Sequence, residues 1–341
     1  MEQIKQYLGC LLGAAAGDAM GAPTEMRTKQ QIEEYFNGPV TEFKPTPSDT
    51  FARGNKPGQI TDDFSMAYIS SQTILAANGE VGEKTANDAI LEWSKNEAFF
   101  NQFVGPTSRA AINRLRGEIV EESRFLPVNS NNRGSNGGAM KAAPISLFAH
   151  GDIEAAIRLV AIMAAPTHNN NLALAGACAV AAATNAALNG ATLNEIICAG
   201  QYGARRGNEI GLKQGSELAG PSVEKRIGWA VQLAMQSKDT EQATQTMADY
   251  FDCSGMAADS IPVAFGLIAA ANGDSVEAIK AAVNVGYDTD SIATMVGGIL
   301  GAKHGVSAFP DDYLTLIDKV NGYDLLALAK EISECSLTFV S

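Results

Sequence analysis

Two short acidic segments could do chemistry: Gly58-Gln59-Ile60-Thr61-Asp62-Asp63 and Gly286-Tyr287-Asp288-Thr289-Asp290-Ser291. Each sets two carboxylates and at least one hydroxyl within a few residues, at the head of a helix-periodic stretch. Taken singly, either is an ordinary helix start, because Asp, Ser and Thr there accept unpaired N–H groups and suit the helix dipole. As a pair they would repel if folding brought them together, unless a cation lay between them. All-oxygen donors suit hard ions such as Mg²⁺, Mn²⁺ or Ca²⁺ and disfavour zinc or copper. Two ions could share these carboxylates.

Three further segments carry candidate groups. Gly17-Asp18-Ala19-Met20-Gly21-Ala22-Pro23-Thr24-Glu25 ends the first expected helix; by itself it reads equally as a helix stop with exposed acids. Ser135-Asn136-Gly137-Gly138-Ala139-Met140 precedes another, so its free N–H groups could receive phosphate or sugar oxygens, or it is a plain turn with an N-cap. Thr167-His168 follows Pro166 at a third expected helix start. His150 and His304 read as structural hydrogen-bonders.

In this order the five segments resemble the ADP-ribosylglycohydrolase family, across about residues 8 to 305, and Gly105 to Ser108 supplies the Gly-Pro-Thr-Ser stretch of a bacterial branch. The resemblance implies a compact all-α domain spanning residues 1–341, with a binuclear Mg²⁺ (or Mn²⁺) centre in a cleft. Thr61, Asp62, Asp63, Asp288, Asp290 and Ser291 would ligate the metals, and Glu25 would sit on a mobile flap beside them. His168 and Ser135, Asn136, Gly137 and Gly138 would line the ADP-ribose channel. Three positions depart from the family pattern: Phe64 replaces the last Thr of Thr-Asp-Asp-Thr, Tyr287 replaces the second Gly of Gly-Gly-Asp-Thr-Asp-Thr, and Ser291 replaces that motif's last Thr but keeps a hydroxyl ligand, so the two rings are the departures that bear on the substrate. If both rings border the cleft, they narrow it and select the substrate. Phe64 can equally be a core aromatic, since it starts a largely apolar helix.

The expected activity is hydrolysis at C1 of an ADP-ribosyl ribose, through an oxocarbenium-like transition state. Two cations about 3.5–4 Å apart would hold the ribose hydroxyls and orient a water. Glu25 or Asp62 would move the proton, and backbone N–H groups of the Gly loop would carry the diphosphate. A nucleosidase-like hydrolase of a small ribosyl metabolite is the alternative that a narrowed cleft favours. A third reading, a non-catalytic ADP-ribose binder or crystallin-like structural protein, would call for a broken ligand set, which this chain does not have.

Helices must position these groups. The chain has 341 residues, 54 of them Ala and 33 Gly, with 46% hydrophobic and only 7% aromatic residues. Ala favours helix, and small side chains let helices pack closely. Asp152 caps a segment with Ile153, Ala156, Ile157, Val160 and Ala164 on one face, ended by Pro166. Similar segments recur at 3–17, 64–77, 85–95, 107–116, 170–188, 222–236, 257–271, 274–284, 291–303 and 323–334, and none alternates with period two. An all-α orthogonal bundle of more than a dozen helices in one domain is expected, with long loops at 37–60 and 118–138.

The net charge of −13 argues against a nucleic-acid partner. Five scattered cysteines without a C-x-x-C pair suggest reduced thiols in a cytosolic protein. Lys5 followed by Leu8 to Ala16 imitates a signal peptide but runs straight into Gly17-Asp18, which suggests a buried first helix. Leu172 to Leu188 is the most membrane-like run, yet it is mostly Ala and contains Thr184 and Asn185, so no membrane partner is expected.

Overall fold

The computed structural model describes residues 2–118 and 131–340; the middle of the expected loop at 118–138 lies outside them. The described chain holds seventeen α-helices. The first six are α1 (Glu2–Gly21), α2 (Lys29–Phe36), α3 (Asp62–Ala76), α4 (Glu83–Trp93), α5 (Glu97–Phe103) and α6 (Pro106–Leu115). Next come α7 (Ala142–Ser146), α8 (Ile153–His168), α9 (Asn171–Leu188), α10 (Leu193–Gln214), α11 (Val223–Gln236) and α12 (Thr240–Tyr250). The chain closes with α13 (Ala257–Ala270), α14 (Ser275–Val283), α15 (Thr289–His304), α16 (Asp311–Asn321) and α17 (Leu325–Glu334). The described strands are one parallel pair, β1 (Glu80–Val81) beside β2 (Thr338–Phe339). The fold is all-α.

The small residues do what their number implied. Along α1, Gly9, Gly13, Gly17 and Gly21 recur every fourth residue, on one face of the helix. They meet α15 running the other way, where a Cβ added at Gly13 would come within 2.1 Å of the Gly297 carbonyl oxygen. The reciprocal Cβ at Gly297 would lie 2.0 Å from the Gly13 oxygen, and one at Gly21 would lie 2.4 Å from the Asp290 Cα. Backbone rests on backbone, so the end of α1 bearing Asp18 lies against the end of α15 bearing Asp290. Gly297→Val meets the Gly13 backbone first, with the Ile279 side chain farther off at 3.2 Å, and must part the helices. It should cost ~3 kcal/mol or more, seen as a large drop in the melting temperature by circular dichroism; an unchanged midpoint would contradict this contact.

One continuous buried cluster runs from Tyr7 to Ile332 and joins the helices around α1 and α15. A smaller cluster, including Met66, Trp93, Phe100 and Met140, packs α3 to α6 together, and the Trp93 indole N–H donates to Ser65 (2.9 Å). Helix α9 is long and apolar enough to cross a membrane, but 94% of it is buried by the other helices. Within the fold it is a core helix.

Three boundaries differ from the sequence reading. Helix α1 continues past residue 17, which puts Asp18 inside it. Helix α8 runs through Pro166 to His168, so Thr167-His168 closes that helix and does not open the next. The loop at Ser135–Met140 leads only into the five-residue α7, and the N–H groups of Ala139 and Met140 already donate to the Asn136 carbonyl (2.6 and 3.0 Å). The loop is a turn and not the open end of a long helix, and its Gly137 and Gly138 N–H groups have no acceptor among the described residues. His150 bridges Tyr7 (2.6 Å) and the Cys335 carbonyl (2.7 Å), and His304 meets the Gly273 carbonyl (3.0 Å), both structural as expected. The five cysteines are free.

Candidate active site

The first turns of α3 and α15 converge on one cleft of about 660 Å³, whose lining includes Glu25, Asp62, Asp63, Asp288, Asp290 and Ser291. Thr61 caps α3, its hydroxyl accepting from the Asp63 N–H (3.3 Å). Behind it, the Asp18 carboxylate of α1 accepts from the N–H groups of Thr61 (3.0 Å to each oxygen) and Phe64 (2.9 Å). A buried acid from a distant helix thus caps α3 a second time and fixes the aim of Asp62 and Asp63.

Glu25 arrives on the segment after α1. Met26 N–H donates to the Tyr287 carbonyl and Tyr287 N–H to the Arg27 carbonyl, both at 2.8 Å. The Thr24 hydroxyl sits 2.9 Å from that of Thr289 and 2.7 Å from the Val283 carbonyl. The flap expected to carry Glu25 is therefore laced to the start of α15. One carboxylate oxygen each from Glu25, Asp288 and Asp290 lies within 4.8 Å of the others.

Crowding shows in the acid strengths. Burial first, then the Asp290, Asp288 and Asp62 charges, holds Glu25 well above the usual carboxylate range. Asp290 is held up by burial and then by Asp63 and Asp288. Asp63 is held up by burial and then by Asp62 and Asp18. Burial also raises Asp62 to about 8 and Asp18 and Asp288 to about 6. Asp63 Oδ1 is buried without any hydrogen-bond partner among the described residues. An anionic oxygen left so is costly. Buried all-oxygen acids with an orphaned oxygen fit hard divalent cations.

The facing wall is neutral. Asn136 donates to Asp288 Oδ2 (2.5 Å) and Ser260 (3.0 Å), while its own N–H donates to the Gly255 carbonyl (2.8 Å). Both ring nitrogens of His168 are engaged, Nε2 with the Ser135 hydroxyl (2.8 Å) and Nδ1 with Thr167 (2.7 Å). Burial, then the Lys141 charge, pushes His168 down to about 3, so the ring is neutral. Gly137 is glycine because the ring lies over it: an added Cβ would come within 2.7 Å of His168 Cε1.

The ADP-ribosylglycohydrolase family model matches residues 1–338. The chain belongs to that family. This ADP-ribosylglycohydrolase is 30% identical over 335 residues to YegU, an uncharacterised protein of Escherichia coli K-12, with 97% of each chain covered. It is 25% identical to human ADP-ribosylhydrolase ARH3 (95% of this chain, 92% of the relative). To the ADP-ribosyl-[dinitrogen reductase] glycohydrolase of Rhodospirillum rubrum it is 26% identical (91% and 90%). A solved structure described as an ADP-ribosylglycohydrolase-related protein complex has the same fold, with TM-score 0.71 and 23% identity over 98% of this chain and 99% of that one. The protein is an enzyme of this hydrolase type.

Within the enzyme, five of the six expected metal ligands line the cleft. Thr61 is the exception, buried behind Asp62 and Asp63 as a cap. Ser135, Asn136, Gly137 and His168 also line it. Gly138, packed against Ala164 and Ala177, does not, and neither do Phe64 and Tyr287. Phe64 is fully buried between Tyr68 and Tyr323, with ring centroids 6.5 and 6.3 Å away. Tyr287 adopts a left-handed backbone (φ 61°), and the residue is 45% exposed and not part of the cleft lining. Neither narrows the site. The sequence reading gave two buried charged residues beside the site no role of their own. Asp18 lies in the first candidate segment, but as a lone acid in a Gly/Ala-rich helix it carries no local sign that it caps α3. Lys141 is a lone cation among Ala and Met, 2% exposed and lowered to about 8 by burial against the opposing pull of Asp62.

Proposed function

We propose that the enzyme hydrolyses the bond at C1 of an ADP-ribosyl ribose with two Mg²⁺ ions, or Mn²⁺, held by Asp62, Asp63, Asp288, Asp290 and Ser291. The observation that carries this is the convergence of acids from three distant stretches of chain on one cleft, with the Asp63 oxygen left unpartnered. The named functions of the human, Rhodospirillum and other relatives support the ADP-ribosyl part. Bound in this acid cluster, the cations would supply Lewis acidity and neutralise the crowded charge.

The chain's own groups do the rest. Glu25 is anchored on both sides of its peptide and sits within reach of Asp288 and Asp290. Burial and the neighbouring charges make its carboxyl a weaker acid than an ordinary carboxylic acid, suited to give a proton to the departing atom as the C1 bond breaks. A water then bonds to C1 and loses its proton to a carboxylate, Asp62 or the emptied Glu25. Neutral His168 fixes the Ser135 hydroxyl and offers a flat, uncharged wall. Asn136 holds Asp288 in place. Phe64 and Tyr287 are not among the residues lining the cleft, and its volume of about 660 Å³ suits a dinucleotide-sized ligand, which supports an ADP-ribosyl substrate over a smaller, nucleosidase-type one.

Glu25→Gln keeps the shape and removes the proton. Steady-state assays should show turnover lower by ~100-fold or more, with KM within a few-fold of the parent. Near-normal turnover would move the proton transfer to an aspartate.

A further inference from the structure

Four large apolar residues, Met26, Tyr35, Phe51 and Tyr287, are about half exposed and gather around one guanidinium, that of Arg27. Arg27 lies on the segment that carries Glu25, and its side chain is only 9% exposed. It stacks on the Tyr35 ring (4.7 Å to the centroid) and pairs with Asp49 (2.6 Å). Met26 precedes it, and Tyr287 is joined to both, its carbonyl accepting from Met26 N–H and its N–H donating to the Arg27 carbonyl. Phe51 stands two residues beyond Asp49, within about 7 Å along the chain. The loop that brings it is closed at its ends by Thr46 N–H to the Asn55 carbonyl (3.1 Å). From α5, Gln102 donates to the carbonyls of Phe51 (2.9 Å) and Arg53 (3.2 Å). The loop is therefore pinned to the Glu25 segment by Asp49 and to α5 by Gln102. Phe51 lines the cleft beside Gln102 and Phe103 and still stands half in solvent, at the mouth.

We infer that Met26, Tyr35, Phe51 and Tyr287 form an apolar rim that receives the polypeptide from which ADP-ribose is removed. Exposed apolar residues set side by side mark a surface that another molecule covers, and aromatic residues and Met are types that interface cores favour. The rim is continuous with Glu25, the proton donor to the departing atom, so whatever departs leaves past these side chains. Only Phe51 among the four reaches into the cleft. A conjugate with a leaving group as small as acetate touches at most that ring, whereas a polypeptide spans all four. The Arg27 charge is already taken up by Asp49 and Tyr35. That leaves an apolar surface on a chain of net charge −13, which fits the side chains of a protein and not the phosphates of a nucleic acid. The inference rests on the ADP-ribosyl reading for the reaction and goes beyond it in naming the acceptor and the residues that hold it.

The double variant Met26→Asn, Phe51→Ser tests it. Asn suits the left-handed backbone at Met26 (φ 64°), and neither residue belongs to the core. The variant should melt within about 2 °C of the parent, and calorimetric titration should show parent affinity for Mn²⁺ and for free ADP-ribose. Release of ADP-ribose is then followed from ADP-ribosyl-arginine and ADP-ribosyl-serine proteins and from O-acetyl-ADP-ribose. On the protein substrate that the parent cleaves, KM should rise ~10-fold or more with kcat nearly constant, while KM for O-acetyl-ADP-ribose stays within about two-fold. Tyr35→Gln, changed on its own in α2, should raise the same protein KM several-fold, so the test does not depend on the loop variant. Unchanged protein KM in both variants overturns the rim and leaves the proposed activity standing, as does a parent that cleaves O-acetyl-ADP-ribose alone. Equal losses on large and small substrates, with weaker ADP-ribose binding, would set Phe51 against the ADP-ribose itself and also overturn the rim. A parent that releases ADP-ribose from none of the three overturns both the rim and the ADP-ribosyl reading.

Discussion

Replacing Asp62 or Asp290 by Asn is expected to abolish divalent-cation binding in calorimetric titration and to cut hydrolysis at least ~100-fold, with the helical fold intact. Both carboxylates line the cleft in first turns fixed from behind, α3 by Asp18 and α15 by the glycine contact with α1. The decisive corollary concerns the metal-free protein. There the cluster is a set of like charges forced together, so removing one relieves repulsion. Each variant, in chelator, should melt at or above the parent's temperature, while cation no longer raises its midpoint. Unaltered Mg²⁺ affinity in both variants would contradict a cation site shared by the two acidic segments.

The second large effect is a dependence of stability on pH that the cation reverses. Burial lifts Asp288 to about 6 and Asp62 to about 8, and holds Glu25, Asp63 and Asp290 well above their ordinary values. A carboxyl whose folded value is raised binds its proton more tightly folded than unfolded. Its contribution to stability is therefore present at low pH and is lost as pH rises through the raised values. In chelator, the melting temperature should fall between about pH 5 and about pH 8.5. Saturating Mg²⁺ or Mn²⁺ should restore it by roughly 5 °C or more at the upper pH and much less at the lower. A chelated protein equally stable at both, with no gain from cation, would mean that these acids are not strained together.

The acid clusters were legible in the sequence because a helix start is local: caps and first-turn acids announce themselves within six residues. The close pairing of α1 with α15 was foreshadowed by Gly and Ala content, though which helices pair depends on contacts nearly 300 residues apart. Phe64 shows where adjacency misleads. Each step along a helix turns the side chain by about 100°, so the residue after Asp63 points away from the cleft, into Tyr68 and Tyr323. Tyr287 is turned out by a left-handed backbone that its letter does not advertise. Pro166 stays inside α8 because only the last turn loses a donor. The capping role of Asp18 rests on hydrogen bonds across 43 and 46 residues, beyond any local signal.

The most direct measurement is the release of free ADP-ribose from an ADP-ribosyl-arginine protein and from O-acetyl-ADP-ribose, followed with Mg²⁺, in EDTA, and after Mg²⁺ is returned. Release from at least one substrate, stopped by EDTA and restored by the cation, is the predicted result. Release that continues undiminished in EDTA would contradict hydrolysis at a cation-held ribose.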